Sequence, residues 1–269
     1  EAVYTGTYQL ASTTSSPISI GVSSNGTLSN AGLTAGSYTA NVSAMSTVDR
    51  ATVATAGTPL QLNAGDLRIN GTAIVASSTS DDTASDTTAD SSAKASSAIA
   101  IAAAINKASA QTGVTATAAP NEIVGSTFTA AASTKYTGQN LFVNGTTIKL
   151  DSLDKSVTGR DATRSDVASL INQYTGQTGV TATDNGRGLT LVAADGRNIS
   201  LATDLPAADG DLGIPSGATG NINVDATATA ATAKTTYAKV TLQSDKSFTL
   251  EGGSDGNANF TDLGFKTGT

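Results

Sequence analysis

Two stretches of this chain match each other, Leu67-Arg68-Ile69-Asn70-Gly71-Thr72-Ala73-Ile74 and Leu141-Phe142-Val143-Asn144-Gly145-Thr146-Thr147-Ile148. In both, short apolar runs flank an Asn-Gly dipeptide, a strong short-range signal for a tight turn between two strands. Each stretch therefore predicts a β-hairpin. With a downstream match, the stretches define a first copy, residues 67–117, and a second copy, residues 141–183.

The downstream match follows each hairpin at a similar distance. It pairs Gln111-Thr112-Gly113-Val114-Thr115-Ala116-Thr117 with Gln177-Thr178-Gly179-Val180-Thr181-Ala182-Thr183. An Ile-Asn dipeptide precedes it each time, at Ile105-Asn106 and Ile171-Asn172. Matches at spaced positions indicate that one supersecondary unit is present twice, and such a repeat has to be recognised before the rest of the fold is interpreted.

A helix is predicted in the second copy over residues 163–174. Val167, Leu170, Ile171 and Tyr174 recur there at the spacing of one helix face, which indicates a buried stripe. The glycine at position 176 or 179 is expected to end the helix, and strands are expected to follow.

The first copy has a longer connection before its helix. Residues 77–92 are rich in Asp, Ser and Thr and have few apolar side chains, which predicts a flexible loop. A helix is predicted over residues 92–110, with Asp90, Ser91 and Ser92 as candidate N-caps. Residues 101, 104, 105 and 108 form its apolar face.

The two ends of the chain resemble each other more faintly, at residues 18–26 and 248–256. We therefore expect them to pair into one module. The predicted fold class is α+β, mostly β, with small antiparallel-sheet domains and two repeated β-hairpin–helix–β units inserted into a terminal β module. The predicted domains are a discontinuous β-rich base module (1–57 plus 205–269), a first repeat unit (58–134) and a second repeat unit (135–204).

Composition excludes several kinds of chemistry. The 269 residues include no Cys and no His, so disulfides, thiolate nucleophiles and histidine bases are impossible. The net charge is -7 and no Lys/Arg cluster is visible, so we expect no nucleic-acid partner. No apolar run has transmembrane length, so no membrane partner is expected. Aromatic residues are 4% of the chain, which predicts cores of Val, Ile, Leu and Ala.

Three motifs could carry chemistry, and a structural interpretation is favoured for each. Residues 252–256 fit a serine nucleophile elbow, which needs a following helix and a base, and a helix is not expected after them. The aspartates at positions 81, 82, 86 and 90 could hold a cation, but a solvated acidic loop is the preferred interpretation. Asn106 and Asn172 are expected to hydrogen-bond neighbouring backbone rather than a ligand. We therefore predict no catalytic residue, no cofactor and no metal.

The order of hairpin, Asn-Gly-Thr turn, helix with Ile-Asn and Thr-Gly-Val-Thr-Ala resembles the "IN" motif of bacterial flagellins. That motif also occurs in the filament cap and hook-associated proteins. The resemblance covers roughly residues 58–134 and 135–204. Its structural signature falls on Asn70, Gly71, Ile105, Asn106, Gly113, Val114, Asn144, Gly145, Ile171, Asn172, Gly179 and Val180.

The resemblance implies the variable, surface-exposed outer region of a flagellin, a secreted structural subunit of the extracellular motility filament and an antigen. The long heptad-rich helices that build the filament core in that family are missing, and no Met precedes Glu1, so we expect an excised outer piece. The implied partners are other copies of the subunit, joined through core segments absent here, and antibodies, phage or host surfaces. The alternatives are a cap or hook-associated protein, or a glycan-binding adhesin-like module, against which the scarcity of aromatic residues argues.

Overall fold

A computed structural model describes residues 18–20, 36–38, 43–48, 50, 59–128, 136–205, 212–215, 220–221, 233–253 and 257–268. Over these residues the protein is mixed α and β, with more strand than helix and several small antiparallel sheets. The predicted fold class is confirmed at this level. The strands are β1 (Ile18–Ile20), β2 (Gly36–Tyr38), β3 (Ser43–Ser46), β4 (Leu67–Ile69), β5 (Thr72–Ala73), β6 (Thr115–Ala118), β7 (Asn121–Val124), β8 (Asn140–Val143), β9 (Thr146–Lys149), β10 (Thr181–Asp184), β11 (Leu189–Ala193), β12 (Ile199–Thr203), β13 (Gly220–Asn221), β14 (Lys234–Thr236), β15 (Val240–Ser244) and β16 (Leu250–Gly252).

The helices are short. They are α1 (Ala98–Asn106), α2 (Ser109–Thr112), α3 (Lys155–Thr158), α4 (Arg164–Asn172), α5 (Thr175–Thr178) and α6 (Asn257–Asp262). Single 3₁₀ turns occur at Thr79–Asp81, Lys94–Ser96 and Asp151–Leu153.

The second copy is completed by strands that follow it in sequence. β8 and β9 form the predicted hairpin, and β12 pairs antiparallel with the other side of β8. β10 pairs with β11, and β7, which comes just before the copy, pairs with the far side of β11. The strands around this copy therefore come from one continuous part of the chain, apart from β13 and β14 beside β12.

The first copy is completed by strands from far downstream. β4 and β5 form its hairpin, and β16 pairs with β4 in the place that β12 takes beside β8. β6 pairs with β15, and β3 pairs with the far side of β15, as β7 does with β11. Strands assigned to the predicted base module thus share sheets with strands of the predicted first unit, while the domain boundaries themselves stay a prediction.

Two apolar cores accompany these two sets of strands. One gathers α4, β8, β10, β11 and β12, and its side chains are mostly Leu, Ile, Val and Ala, as composition predicts. The other gathers α1, β4, β6, β15 and α6. It also contains three phenylalanines, and the rings of Phe260 and Phe265 stack with centroids 5.7 Å apart. The phenylalanine pair of this core is therefore supplied by the distant segment.

The helix predicted in the second copy is confirmed, with a shorter span. Thr163 is its N-cap, and a capping box joins Thr163 to Asp166. Val167, Leu170 and Ile171 are buried and Tyr174 packs against the same core. The helix ends two residues before Tyr174, and the separate turn α5 follows.

The N-caps predicted for the first helix are wrong. The cap is Ser97, whose Oγ accepts a hydrogen bond from the N–H of Ala100. Ser91 instead donates its hydroxyl to the carbonyl of Ala233, and Ser92 donates to Asp86. Short hydroxyl side chains bond many backbone groups, so the sequence offered several caps and tertiary contacts decided among them.

The flexible loop predicted over residues 77–92 is also wrong. Its connection is irregular apart from one 3₁₀ turn, but six of its residues are buried. The hydroxyl of Ser85 accepts the N–H of Asn198, and Ala89 packs with Phe142, Ala202 and Ala233. The polar residues make short local turns that need no apolar core of their own. The segment therefore packs against β8 of the second copy and against β12 and the residue before it. The buried residues are Ser77, Asp82, Ser85, Ala89, Ser91 and Ser92.

Candidate functional site

The Asn-Gly positions of both copies form the tight turns that the sequence predicts. Asn70 and Gly71 have φ angles of 49° and 76°, and Asn144 and Gly145 have 42° and 79°. Two successive left-handed residues define the turn that matches the twist of a hairpin, and Asn followed by Gly adopts it at the lowest strain. The hairpins β4–β5 and β8–β9 are therefore set by the same local chemistry.

The asparagine side chains of these turns reach two other elements. Asn70 Nδ2 donates to the carbonyl of Thr112 at 2.8 Å, and its Oδ1 accepts the N–H of Thr249 at 2.9 Å. Asn144 Nδ2 donates to the carbonyl of Thr178 at 2.9 Å, and its Oδ1 accepts the N–H of Ser200 at 2.8 Å. Each turn thus joins the end of a short helix to a neighbouring strand.

The second matched stretch supplies that helix end. Gly113 and Gly179 are left-handed C-caps, with φ of 68° and 70°, and both donate their N–H back to the preceding turn. The next residues, Val114 and Val180, are fully buried and lead into β6 and β10. The Gly-Val pair therefore redirects the chain from helix to sheet immediately beside the carbonyl that the turn asparagine binds.

The Ile-Asn pairs connect the longer helices to the same strands. Ile105 and Ile171 are buried in the two cores. Asn106 donates to the carbonyl of Ala116 at 2.8 Å and accepts its N–H at 2.7 Å. Asn172 makes the same two bonds with Ala182, at 2.8 and 2.7 Å. The expectation that these asparagines bind backbone is confirmed, and each amide uses both its nitrogen and its oxygen to do so.

Strands β15 and β16 also belong to this arrangement, and the sequence analysis missed their role. Val240-Thr241-Leu242 lies on β6 as Leu189-Thr190-Leu191 lies on β10. Phe248-Thr249-Leu250 lies beside the first hairpin as Ile199-Ser200-Leu201 lies beside the second. The shared apolar-Thr-Leu and apolar-Ser/Thr-Leu patterns were the available signal.

The acidic residues of the 77–92 segment do not form a cation site. Asp81 forms an ion pair with Lys107 at 2.6 Å, and Asp86 caps its own turn by accepting the N–H of Thr88. Asp82 is buried and accepts the N–H groups of Ala84 and Ser85. The described residues include no group of three or more metal-ligating side chains.

The elbow-like motif has a different context from the one expected. β16 precedes it and α6 follows it, so the expectation that no helix follows is wrong. Ser254 itself lies outside the described residues. The chain has no histidine to act as the base of such an elbow.

Arg50 is half-buried, and no carboxylate among the described residues bonds to it. Arg50 donates to the carbonyls of Ser96 and Leu60, and its guanidinium lies 4.5 Å from the centre of the Tyr237 ring. Burial lowers the pKa of Arg50 to about 10 and raises the pKa of Tyr237 to about 12. The Tyr237 hydroxyl donates to the carbonyl of Ser91. Tyr237 therefore contacts both Arg50 and the 77–92 segment.

An open hollow of about 360 Å³ lies beside the start of α4, lined in part by Phe128, Arg164 and Asp184. Arg164 Nε donates to Asp184 at 2.7 Å, and this bond lowers the pKa of Asp184. The same guanidinium lies 6.0 Å from the centre of the Phe128 ring. Arg164 therefore lies next to both the Phe128 ring and the Asp184 carboxylate in this hollow.

No helix in the described ranges has both the length and the hydrophobicity needed to cross a lipid bilayer.

The arrangement that recurs in the molecule is a set of backbone-binding asparagines at two corresponding places. No family model matches this chain, and no curated protein matches it at a significant level.

Proposed function

We propose that the chain is the surface-exposed outer region of a flagellin, a structural subunit of the bacterial motility filament. The observation that carries the proposal is the Ile-Asn pair. It occurs twice at matching sequence positions, and both asparagines make the same two bonds to the second residue of a strand. The sequence resemblance to the flagellin "IN" motif therefore coincides with a shared physical role, which a chance match of short words would not require.

The proposal includes a finer description of the fold. Each copy is a repeated hairpin–helix–strand unit, and two further strands complete it. Residues 189–203 complete the second unit, and residues 240–252 complete the first. The second unit is then an insertion between β6 and β15 of the first. This arrangement departs from a separate base module, because the terminal strands become part of the first unit.

The proposed role is mechanical and interfacial. The region projects from a filament core, sets the outer diameter and presents an acidic, Ser/Thr-rich surface to the medium, where antibodies, phage or host surfaces meet it. Such a surface favours solubility. The bonds from side chains to backbone hold small aliphatic cores in place without disulfides. The proposal assigns no catalytic step, cofactor or metal.

Quantitative peptide mass spectrometry on filaments sheared from the source cells tests the proposal. The tryptic peptide covering residues 165–187 contains the second Ile-Asn pair and part of the second match, so it identifies the chain. We expect it at the stoichiometry of the dominant filament protein. Trace amounts would assign the chain to the cap or hook junction instead. Absence from filaments would overturn the flagellar assignment and give precedence to a glycan-binding module.

A further inference from the structure

Strands β6 and β10 lie at the edges of their sheets, and an edge strand carries backbone groups that can pair with another chain. β10 has β11 on one side only. On its other side, both backbone groups of Ala182 are bonded to the side-chain amide of Asn172. The corresponding groups of Ala116 on β6 are bonded to Asn106.

An asparagine side chain carries the same donor and acceptor as a peptide group. The paired bonds of 2.8 and 2.7 Å therefore reproduce what one residue of a neighbouring strand would make. Two threonine side chains bond the backbone groups of Val180, immediately before β10, in a similar way. Thr178 Oγ1 accepts the N–H of Val180 at 3.2 Å, and Thr175 Oγ1 donates to its carbonyl at 2.9 Å.

We propose that Asn106 and Asn172 act as substitutes for an edge strand, and that they prevent β6 and β10 from pairing with a second copy of this chain. The inference does not depend on the flagellar assignment. Both asparagines are exposed on the outside of the molecule, so their removal opens the strand edge towards solvent rather than into a core.

The chain itself offers the strand that would fill an opened edge. β7 lies at the opposite edge of the sheet that contains β10, and no described strand pairs with its outer side. Glu122 and Val124 are exposed on it, and Val124 retains 57% of its accessible surface. The outer side of β7 in one molecule is therefore available to an open β10 in another.

The main test is Asn172→Ala in the full chain, with molar mass measured by light scattering during size-exclusion chromatography over a concentration series. We expect the mass to rise with concentration above that of one chain and towards no fixed limit, because β10 of one copy on β7 of the next is a head-to-tail contact that need not close. Asn106→Ala opens the other edge, and the same result is expected. The two variants are independent, so one of them still tests the inference if the other fails to fold.

Two matched variants separate edge pairing from loss of stability. Thr163→Ala removes the N-cap of the same helix but leaves the Asn172 bonds in place, so it should not associate. Thr181→Glu, added to Asn172→Ala, places a charge on an exposed position of β10 and should restore the original mass, because a charged edge opposes strand addition and Glu122 of the incoming β7 carries the same charge.

Hydrogen exchange at Ala182 reports the edge directly. In Asn172→Ala at low concentration, its amide should exchange roughly tenfold faster, the ratio expected for one lost hydrogen bond. At high concentration, pairing should restore protection. An unchanged molar mass despite faster exchange would show that the bond only stabilises the unit, and would overturn the inference. Equal association of Thr163→Ala would overturn it as well.

Discussion

The first and second copies use the same turns, caps and asparagine bonds but obtain their remaining strands from different distances along the chain. β11 and β12 follow the second copy directly, whereas β15 and β16 reach the first copy only after the whole second copy has been made. Local sequence therefore sets the hairpin and the helix end, and the completing strands can be local or remote. Contacts remote in sequence have the larger loop-closure cost, so the first copy depends more on side chains that lie far downstream.

The strongest test of this difference removes one core leucine from each completing strand. Leu242 on β15 and Leu191 on β11 are both fully buried, and they belong to different cores. Leu242→Ala and Leu191→Ala should each cost about 3 kcal/mol of unfolding free energy, the usual range for a buried leucine. Hydrogen exchange should locate the loss in α1 and β4 for Leu242→Ala, and in α4 and β8 for Leu191→Ala. Equal loosening of both helices by Leu242→Ala would contradict the pairing of β15 with the first copy.

The turn asparagines should give unequal effects, the larger of them similar to that of a core leucine. Asn144 is 5% exposed, and its loss leaves buried groups of Thr178, Asn198 and Ser200 without partners. Asn70 is exposed, so water can replace its bonds. We expect about 3 kcal/mol for Asn144→Ala and about 1.5 kcal/mol for Asn70→Ala in chemical denaturation, from lost bonds and strain at positive φ. Asn→Gly at each position loses the same side-chain bonds as Asn→Ala but tolerates positive φ, so the difference between the two sites should persist in the glycine pair. Equal losses would contradict the role of burial.

Much of the local structure was predictable because short stretches of sequence determine it. Asn-Gly turns, glycine caps and the apolar face of α4 follow from backbone freedom and helical spacing at one place in the chain. The backbone bonds of Asn106 and Asn172 were also expected from side-chain chemistry.

Apart from the helix α6, the errors concern residues whose partners lie far away. Ser91 was a plausible helix cap, but Ala233 holds its hydroxyl, and Ala89 was placed in a loop that Phe142 buries. The remote completion of the first copy was missed for the same reason. Local propensity does not report a partner more than fifty residues away, and the remote strands of the first copy can be recognised only by comparing Val240-Thr241-Leu242 with Leu189-Thr190-Leu191.

The glycine caps provide a smaller contrast between the copies. Gly113 and Gly179 have the same left-handed φ, but a Cβ at position 113 meets open space, and one at position 179 lies 2.3 Å from the guanidinium carbon of Arg197. Gly113→Ala should cost about 1 kcal/mol from backbone strain, and Gly179→Ala about 2 kcal/mol, because Arg197 must also leave Asp195. Thermal denaturation measures both. In a chain that already carries Arg197→Ala, the further change Gly179→Ala should cost about as much unfolding free energy as Gly113→Ala does in the unsubstituted chain. A larger cost would place the clash elsewhere.

The weakest expected difference concerns pH at the start of α4. Hydrogen bonds from Arg160, followed by those from Thr163, hold the pKa of Asp166 well below its ordinary value of 3.8. A carboxylate with a lowered folded-state pKa stabilises the fold fully above its unfolded value and loses that contribution as the pH falls towards the folded value. The melting temperature should therefore fall less between pH 6 and about 3 in Asp166→Asn than in the unsubstituted chain.

The side chains of Arg160 and Asp166 are 58% and 31% exposed, so solvent screens the pair and added salt should shrink the difference between Asp166→Asn and the unsubstituted chain. An identical fall in melting temperature for Asp166→Asn and the unsubstituted chain would mean that the capping carboxylate of α4 gives the second copy no acid sensitivity of its own. A larger fall in Asp166→Asn would contradict the direction of the pKa shift.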